Sequence, residues 1–409
     1  MKILFLNTQA NPEIGGGADI IVWEQIRGLR DAGHECVLLA TSGKAGLERT
    51  EREGITVWQA GIRNVYWPYH KKRPAAQWRA LWHAIDSYNP WMQEYLHEVV
   101  ESEKPDVVSL HDLPGWSSAT WMTLAQLDVP AVQVLHSYYL ICVKTSMYRK
   151  GRICVNQCMD CRVFRLPHRA LSRNVAAVVG VSQYILKRHR DLGYFEDVPI
   201  QRVIHNARAP RTLGIEEAMV TAPHAGLRFG FIGRLDVIKG IEPLIDAFLA
   251  ADLTNSELWI AGSGKQHEEE RMHSKTQDPR VRFFGRVAPR DFYPQVDVVV
   301  VPSLWNDNLP GVVFEALAFG KPVIGSRRGG IPEMIHHGEN GLLFEPDAPG
   351  ELKAALEAMT DDVRRAQLAA QAKPSSTTFT DIAGWVAQYE VLYRDVANTR
   401  LASSPQVGA

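Results

Sequence analysis

Short, nearly continuous apolar runs alternate along this chain with stretches whose apolar residues recur every three to four positions. The first run, Ile3-Leu4-Phe5-Leu6 within residues 2–7, predicts a buried strand. Residues 18–32 then carry helical spacing through Ile21, Ile26 and Leu29, and Gly33 ends the helix. Residues 34–40, 107–110, 131–136 and 177–181 read as further strands of the same kind. The pattern restarts near Leu227. Residues 228–232 read as a strand, and 240–251 as a helix with Ile241, Leu244, Ile245 and Phe248 on one face. Residues 258–261, 281–284 and 298–301 read as strands, and 322–326 as a short one. Apolar strands in alternation with helices predict an α/β protein with parallel sheets covered on both faces.

The restart divides the chain. Residues 206–226 are rich in Ala, Pro and Arg, lack strong periodicity and read as a linker. The expected domains are 1–205 and 227–375, followed by a helical tail over 376–397. In that tail Ile382, Trp385, Val386, Tyr389 and Leu392 share a face, so it can cross back onto the first domain. Residues 403–409 read as disordered. Two inserts are expected in the first domain. One, over 57–97, is aromatic, with Trp58, Trp67, Trp78, Trp82 and Trp91 joined by Tyr66, Tyr69, Tyr88 and Tyr95 around the basic run His70, Lys71, Lys72 and Arg73. The other, over 142–161, is rich in cysteine.

With 409 residues the chain exceeds one ordinary core, and about two or three domains are the prior. A net charge of -1 leaves no global field to draw nucleic acid or an acidic membrane. The apolar stretch after Lys2 is too short for a signal peptide, and no run approaches the roughly 18–20 residues of a spanning helix. The expectation is a cytoplasmic protein, with peripheral contact at the inner face of a membrane as its variant.

Candidate chemistry concentrates in P-S-L-W-N-D-N-L-P-G-V-V-F-E, residues 302–315. Asp307 and Glu315 flank a Pro310-Gly311 that reads as a helix start, directly after a buried strand. A strand end, a polar loop, first-turn amides and carboxylates suit a ligand bearing phosphate and hydroxyls. Gly233-Arg234 and Lys239-Gly240 bracket another strand-to-helix turn, where two cations suit a diphosphate. The alternatives are solvated cations there and, at Glu315, an acid that merely favours a helix N-terminus. Gly15-Gly16-Gly17 opens the first helix without the G-x-G-x-x-G of a dinucleotide site, and a flexible loop is its plain alternative. Gly329-Gly330 opens a helix or makes a tight turn. Gly262-Ser263-Gly264-Lys265 lacks phosphate-loop spacing and reads as a strand-to-helix turn. His136 and the His111-Asp112 pair stand at predicted strand ends, where a ligand or a structural role is open to each.

Cys142, Cys154, Cys158 and Cys161 have a spacing that suits a tetrahedral structural zinc, with Lys150-Gly151 as a hairpin turn inside it. An iron–sulfur cluster, free thiols or a disulfide formed on oxidation are the other readings. Cys36, inside a strand, reads as core. Aromatics interleaved with cations in the first insert suit stacking on sugars or contact with a membrane interface; a packed lid is the plain alternative.

Together these motifs resemble the family 4 glycosyltransferases, retaining enzymes with the GT-B fold. The resemblance runs through most of residues 1–395 and is strongest over 227–346. It is carried by G-F-I-G-R-L-D-V-I-K-G-I-E, L-W-I-A-G-S-G, the segment 301–333 and G-E-N-G-L-L-F, with N-P-E-I-G-G-G-A, V-G-V-S-Q-Y-I and V-I-H-N-A in the first half. It implies two doubly wound Rossmann-like domains facing a cleft, the first on the acceptor side and the second holding a nucleotide-sugar donor. Arg234 and Lys239 would then stabilise the departing diphosphate, and Glu315 would hold the donor ribose. Asp307 would meet the donor sugar, and His136 would lie near the transferred sugar. Gly16, Gly17 and Gly233 would line the donor site, as would Asn308, Leu309, Pro310 and Gly311, whose loop through Val312 would touch sugar and phosphate with its backbone amides. The Cys-rich segment resembles one found in some members. The family's usual Glu-x7-Glu is here Asp307-x7-Glu315, one methylene shorter, which bears on the choice of sugar.

The implied function is transfer of a hexose-type sugar, with retention, to a glycan, a lipid-linked glycan or a small metabolite. No cofactor is required for that chemistry, because two cations and helix N-termini can neutralise a diphosphate. No D-x-D-like metal clamp stands out, nor a carboxylate pair placed as in a glycosidase. A nucleotide-sugar epimerase and a non-catalytic nucleotide-sugar-binding subunit are the competing readings.

Overall fold

The structure, a computed structural model, describes residues 1–11, 16–69, 74–218 and 224–403, with side chains described as far as residue 398. Gly15, the basic run 70–73 and the expected disordered residues from Ser404 onward lie outside the described residues. The chain divides into two compact units. One comprises residues 1–149, 154–205 and 383–409, and the other 150–153 and 206–382.

The first unit holds an eight-stranded sheet built from β1 (Lys2–Asn7), β2 (Glu35–Ser42), β3 (Leu47–Arg52), β4 (Ile55–Gly61), β5 (Val107–Leu110) and β6 (Ala131–Leu135). After the two-residue strands β7 (Tyr148–Arg149) and β8 (Arg152–Ile153), which flank Lys150-Gly151, come β9 (Ala177–Gly180) and β10 (Ile200–Val203). The sheet order is β10-β9-β6-β5-β1-β2-β4-β3, parallel except for the β3–β4 pair. Chain order reverses between β1 and β5. The C-terminal strand ends at such a reversal open a crevice for ligands. Ile3, Leu4, Phe5 and Leu6 are fully buried, as two covered faces require. The helix Ile382–Ser403 packs in this unit through Trp385, Tyr389, Leu392 and Tyr393, all buried.

The second unit holds a six-stranded parallel sheet of β11 (Leu227–Ile232), β12 (Ser256–Ala261), β13 (Val281–Gly285), β14 (Val298–Val301), β15 (Val323–Ser326) and β16 (Gly341–Phe344). Its order is β13-β12-β11-β14-β15-β16, so it reverses between β11 and β14. The helix Ile241–Ala250 buries Ile241, Leu244, Ile245 and Phe248, the face the spacing predicts.

Three regions differ from the sequence expectation. Residues from Asn206 onward, read as a linker, belong to the second unit, where the helix Pro210–Leu213 buries Leu213. The aromatic insert starts inside the sheet, since Trp58 lies in β4 and donates to Glu103 at 2.8 Å. Trp82 and Tyr95 are core residues, while Tyr69, Trp78, Tyr88 and Trp91 remain exposed. Finally, Gly329-Gly330 opens a single 3-10 turn, Ile331–Glu333, in place of a full helix.

Candidate active site

In the second unit the loops after β11 and β14 flank the reversal and carry the predicted cations and acids. The β11 loop runs from Gly233, whose N–H donates to Ala261 O at 3.0 Å, to the 3-10 turn Val237–Lys239. Arg234 is exposed and pairs with Asp236 at 3.2 Å. Lys239 is largely shielded; its ammonium donates to Asp307 Oδ2 at 2.5 Å and lies 5.5 Å from the Trp305 ring centre. The two loops are tied together by Leu304 N–H, which donates to Ile238 O at 2.8 Å. Gly240 is required there: a Cβ at this position, with φ at 74°, would sit 1.9 Å from Pro302 O.

Asp307 is buried and has a second partner in Ser303 Oγ, which donates to Oδ2 at 3.3 Å. Its backbone carbonyl accepts from Gly330 N–H at 2.7 Å, and a Cβ on Gly329 would reach that carbonyl at 1.9 Å. The Gly-Gly pair thus serves close backbone approach beneath the acid. Asn308, Leu309 and Pro310 are buried in the same loop, and Pro310 caps the helix Gly311–Ala318.

Glu315 projects one turn into that helix. Arg208 Nη1 donates to its Oε1 at 2.6 Å, and Tyr293 Oη donates to its Oε2 at 3.0 Å. A carboxylate has about four acceptor positions, so two such bonds fix the group and leave it able to accept more. Arg208 and Tyr293 are site residues that sequence reasoning missed. Arg208 stands 107 positions from its partner, and no local motif announces it.

In the first unit His111 and His136 close the ends of β5 and β6. Their rings meet at 2.8 Å between His111 Nδ1 and His136 Nε2. Burial depresses both, His111 well below its ordinary value and His136 to about 4, so both rings are neutral at pH 7. Asp112 beside them accepts from Ser137 Oγ at 3.5 Å. Burial, with Asp19 nearby, pushes its carboxyl up to about 7. Gly16 and Gly17 open the first helix, yet Asp19 Oδ2 already accepts from Gly16 N–H at 2.7 Å. Asp19 thus satisfies the N-cap amide at this end.

The four cysteines make a thiol cluster. Cys142 is hydrogen-bonded to Cys161 and to the N–H groups of Met147, Lys144 and Ser146, which pull it down to about 6. Cys158 Sγ lies 3.6 Å from Cys161 Sγ, and burial pushes the Cys154 thiol up. Among the described residues no group of three or more His, Cys, Asp or Glu could hold a metal ion. The structural zinc expected from the spacing is therefore not supported by this geometry. Cys36 is buried in β2, as a core residue would be.

Residues 226–362 match the glycosyl transferases group 1 family, and residues 16–207 match the glycosyl transferase 4-like domain. An uncharacterized 42.6 kDa protein in the cps region of Klebsiella pneumoniae is 27% identical over 336 residues, which is 82% of this chain and 87% of that protein. Among solved structures, a sucrose-phosphate synthase from Thermosynechococcus elongatus gives a TM-score of 0.76 at 18% identity, covering 97% of this chain and 99% of that one. Anabaena Alr3699/HepE, solved in complex with UDP and glucose, gives a TM-score of 0.68 at 18% identity, with 96% and 99% covered. The structural likenesses share one fold, GT-B.

Proposed function

We propose that this chain, which belongs to the group 1 glycosyl transferases, moves a hexose-type sugar from a nucleoside-diphosphate sugar to a glycan, lipid-linked glycan or small metabolite, with retention. The observation that carries the donor half is the Lys239–Asp307 pair at the sheet reversal, with Glu315 held a helical turn beyond it. In this reading the incoming diphosphate takes Lys239 from Asp307 and also meets Arg234. Asp307, released, accepts from the sugar hydroxyls, and Glu315 accepts from the ribose. The bond from the sugar's anomeric carbon to the diphosphate breaks as the acceptor oxygen bonds that carbon on the same face. The acceptor proton passes to the departing diphosphate, so no protein base is needed. Two cations and the backbone N–H groups of Asn308, Leu309, Gly311 and Val312 meet the charge that develops on the leaving group.

UDP is the first nucleotide to try, since Anabaena Alr3699/HepE was solved with it. In a thermal-shift panel of nucleoside diphosphates, the matching base at about 100 times its dissociation constant should add ~2.7 kcal/mol of stability. A panel without any shift would remove the donor reading. Sugar transfer with the matching donor then separates the remaining cases: donor turnover without acceptor indicates an epimerase, and binding without turnover a non-catalytic subunit.

The exposed Trp78 and Trp91 of the first unit are assigned to the acceptor, as flat apolar faces for a sugar or a lipid surface. Replacing both by alanine is expected to raise the acceptor KM about tenfold, the loss of ~1.4 kcal/mol of stacking, and to leave the nucleotide dissociation constant unchanged. A weakened nucleotide with an unchanged acceptor KM would refute the assignment.

A further inference from the structure

A continuous line of hydrogen bonds runs from Gln25 on the first helix, through Tyr393 on the C-terminal helix, to His136. Gln25 Nε2 donates to Tyr393 Oη at 3.0 Å, and Tyr393 Oη donates to Ser109 Oγ at 2.8 Å. Ser109 Oγ lies 3.1 Å from His111 Nε2, and His111 Nδ1 lies 2.8 Å from His136 Nε2. Gln25, Ser109, His111 and Tyr393 are all buried.

One ordering of protons runs unbroken along this line. A side-chain amide N–H at one end can only donate, so the Tyr393 hydroxyl accepts there and sends its own proton to Ser109. In that ordering Ser109 gives its proton to His111 Nε2. A neutral imidazole that accepts at Nε2 must carry its hydrogen on Nδ1, and that hydrogen faces His136 Nε2. His136 then accepts at Nε2 and carries its own proton on Nδ1. A ring in that state has its one basic lone pair, on Nε2, engaged by His111.

We propose that Tyr393, Ser109 and His111 are positioning residues that hold His136 as the Nδ1–H tautomer, so that it serves the reaction as a hydrogen-bond donor and not as a base. The proposal rests on the reading of His136 as a residue of the transferred sugar's site. It also assigns a task to the C-terminal helix: Tyr393, 284 positions from Ser109, sets the state of a histidine it does not touch.

Side-chain nitrogen spectra of the full-length enzyme labelled with nitrogen-15 histidine test this directly, with His136→Gln and His111→Gln used to assign the two rings. At pH 7 both rings should show the proton on Nδ1; a His136 ring protonated on Nε2 overturns the proposal. Tyr393→Phe and Ser109→Ala cut the line at different links with little change of volume. Each is expected to give a mixture of His136 tautomers and a three- to tenfold lower kcat, with nucleotide affinity unchanged. A His136 ring still fixed as Nδ1–H in both variants also overturns it, because something other than this line would then hold the proton. If the wild-type tautomers are as expected and His136→Gln keeps full kcat, the reading of His136 at the sugar fails, while the line remains a property of the fold.

Discussion

A Lys239→Ala enzyme is expected to lose about 10²- to 10³-fold in kcat, the loss that accompanies removal of one preorganised charge-stabilising donor. The size follows from where the ammonium sits. Lys239 is held against Asp307 at 2.5 Å and beside Trp305, with 21% of its side chain exposed. Water screens it poorly there, and its field on a departing diphosphate is correspondingly strong. Arg234 has 64% of its side chain exposed, so Arg234→Ala should cost less and should cost progressively less as salt is raised. Lys239→Ala also strips Asp307 of its counter-charge, and the variant therefore mixes two effects. Asp307→Asn is the converse case, because it keeps the ammonium and removes the acid. If the proposed roles are right, Lys239→Ala weakens nucleoside-diphosphate binding and Asp307→Asn does not. Near-normal turnover by Lys239→Ala would end the assignment of the diphosphate to this loop.

That site was legible in the sequence because each of its parts is local. The run Val298–Val301, the polar loop and Pro310-Gly311 follow one another, so a single stretch of sequence displays all three. What was not legible is what joins distant parts. The Arg208–Glu315 pair depends on a segment with no periodicity, and it looked like a linker for that reason. The need for Gly240 and Gly329 comes from the Pro302 and Asp307 carbonyls, which only the folded backbone brings near. Strand β3 escaped notice because it is an antiparallel edge. Its Glu48, Arg49, Thr50 and Glu51 are all exposed, so no apolar alternation marks it. The cysteines show a limit of another kind. Their spacing suits zinc, but spacing does not fix where the sulfurs point.

Acid is expected to unfold the first unit at a pH the second unit tolerates. The first unit buries a group of histidines as neutral rings. His83, His136 and His189 are pushed to about 4, and His111 and His168 lie well below their ordinary value; burial is the leading cause in each case. In the unfolded chain these rings titrate near 6.5. Between that value and 4 the unfolded state binds protons that the folded state refuses, so stability falls as pH drops through this window. Asp86 and Asp112 act in the opposite sense. Burial raises them to about 6 and about 7, and they take up protons in the folded state first. Near pH 5 the balance is an uptake of about three protons on unfolding, equivalent to roughly 4 kcal/mol per pH unit. A typical domain has about 5–15 kcal/mol in all, so a fall from pH 7 to pH 5 should bring the first unit to the edge of unfolding. Among the described residues, the histidines with resolved shifts all lie in this unit. Hydrogen exchange at pH 7, 6 and 5 would therefore show protection lost first from β1, β5, β6 and β9, while β11 and β14 keep theirs. Protection that falls equally in both sheets, or that rises toward pH 5 in the first, would mean that these rings are charged or solvated in the fold. The neutral His111–His136 pair would then fail along with the stability argument.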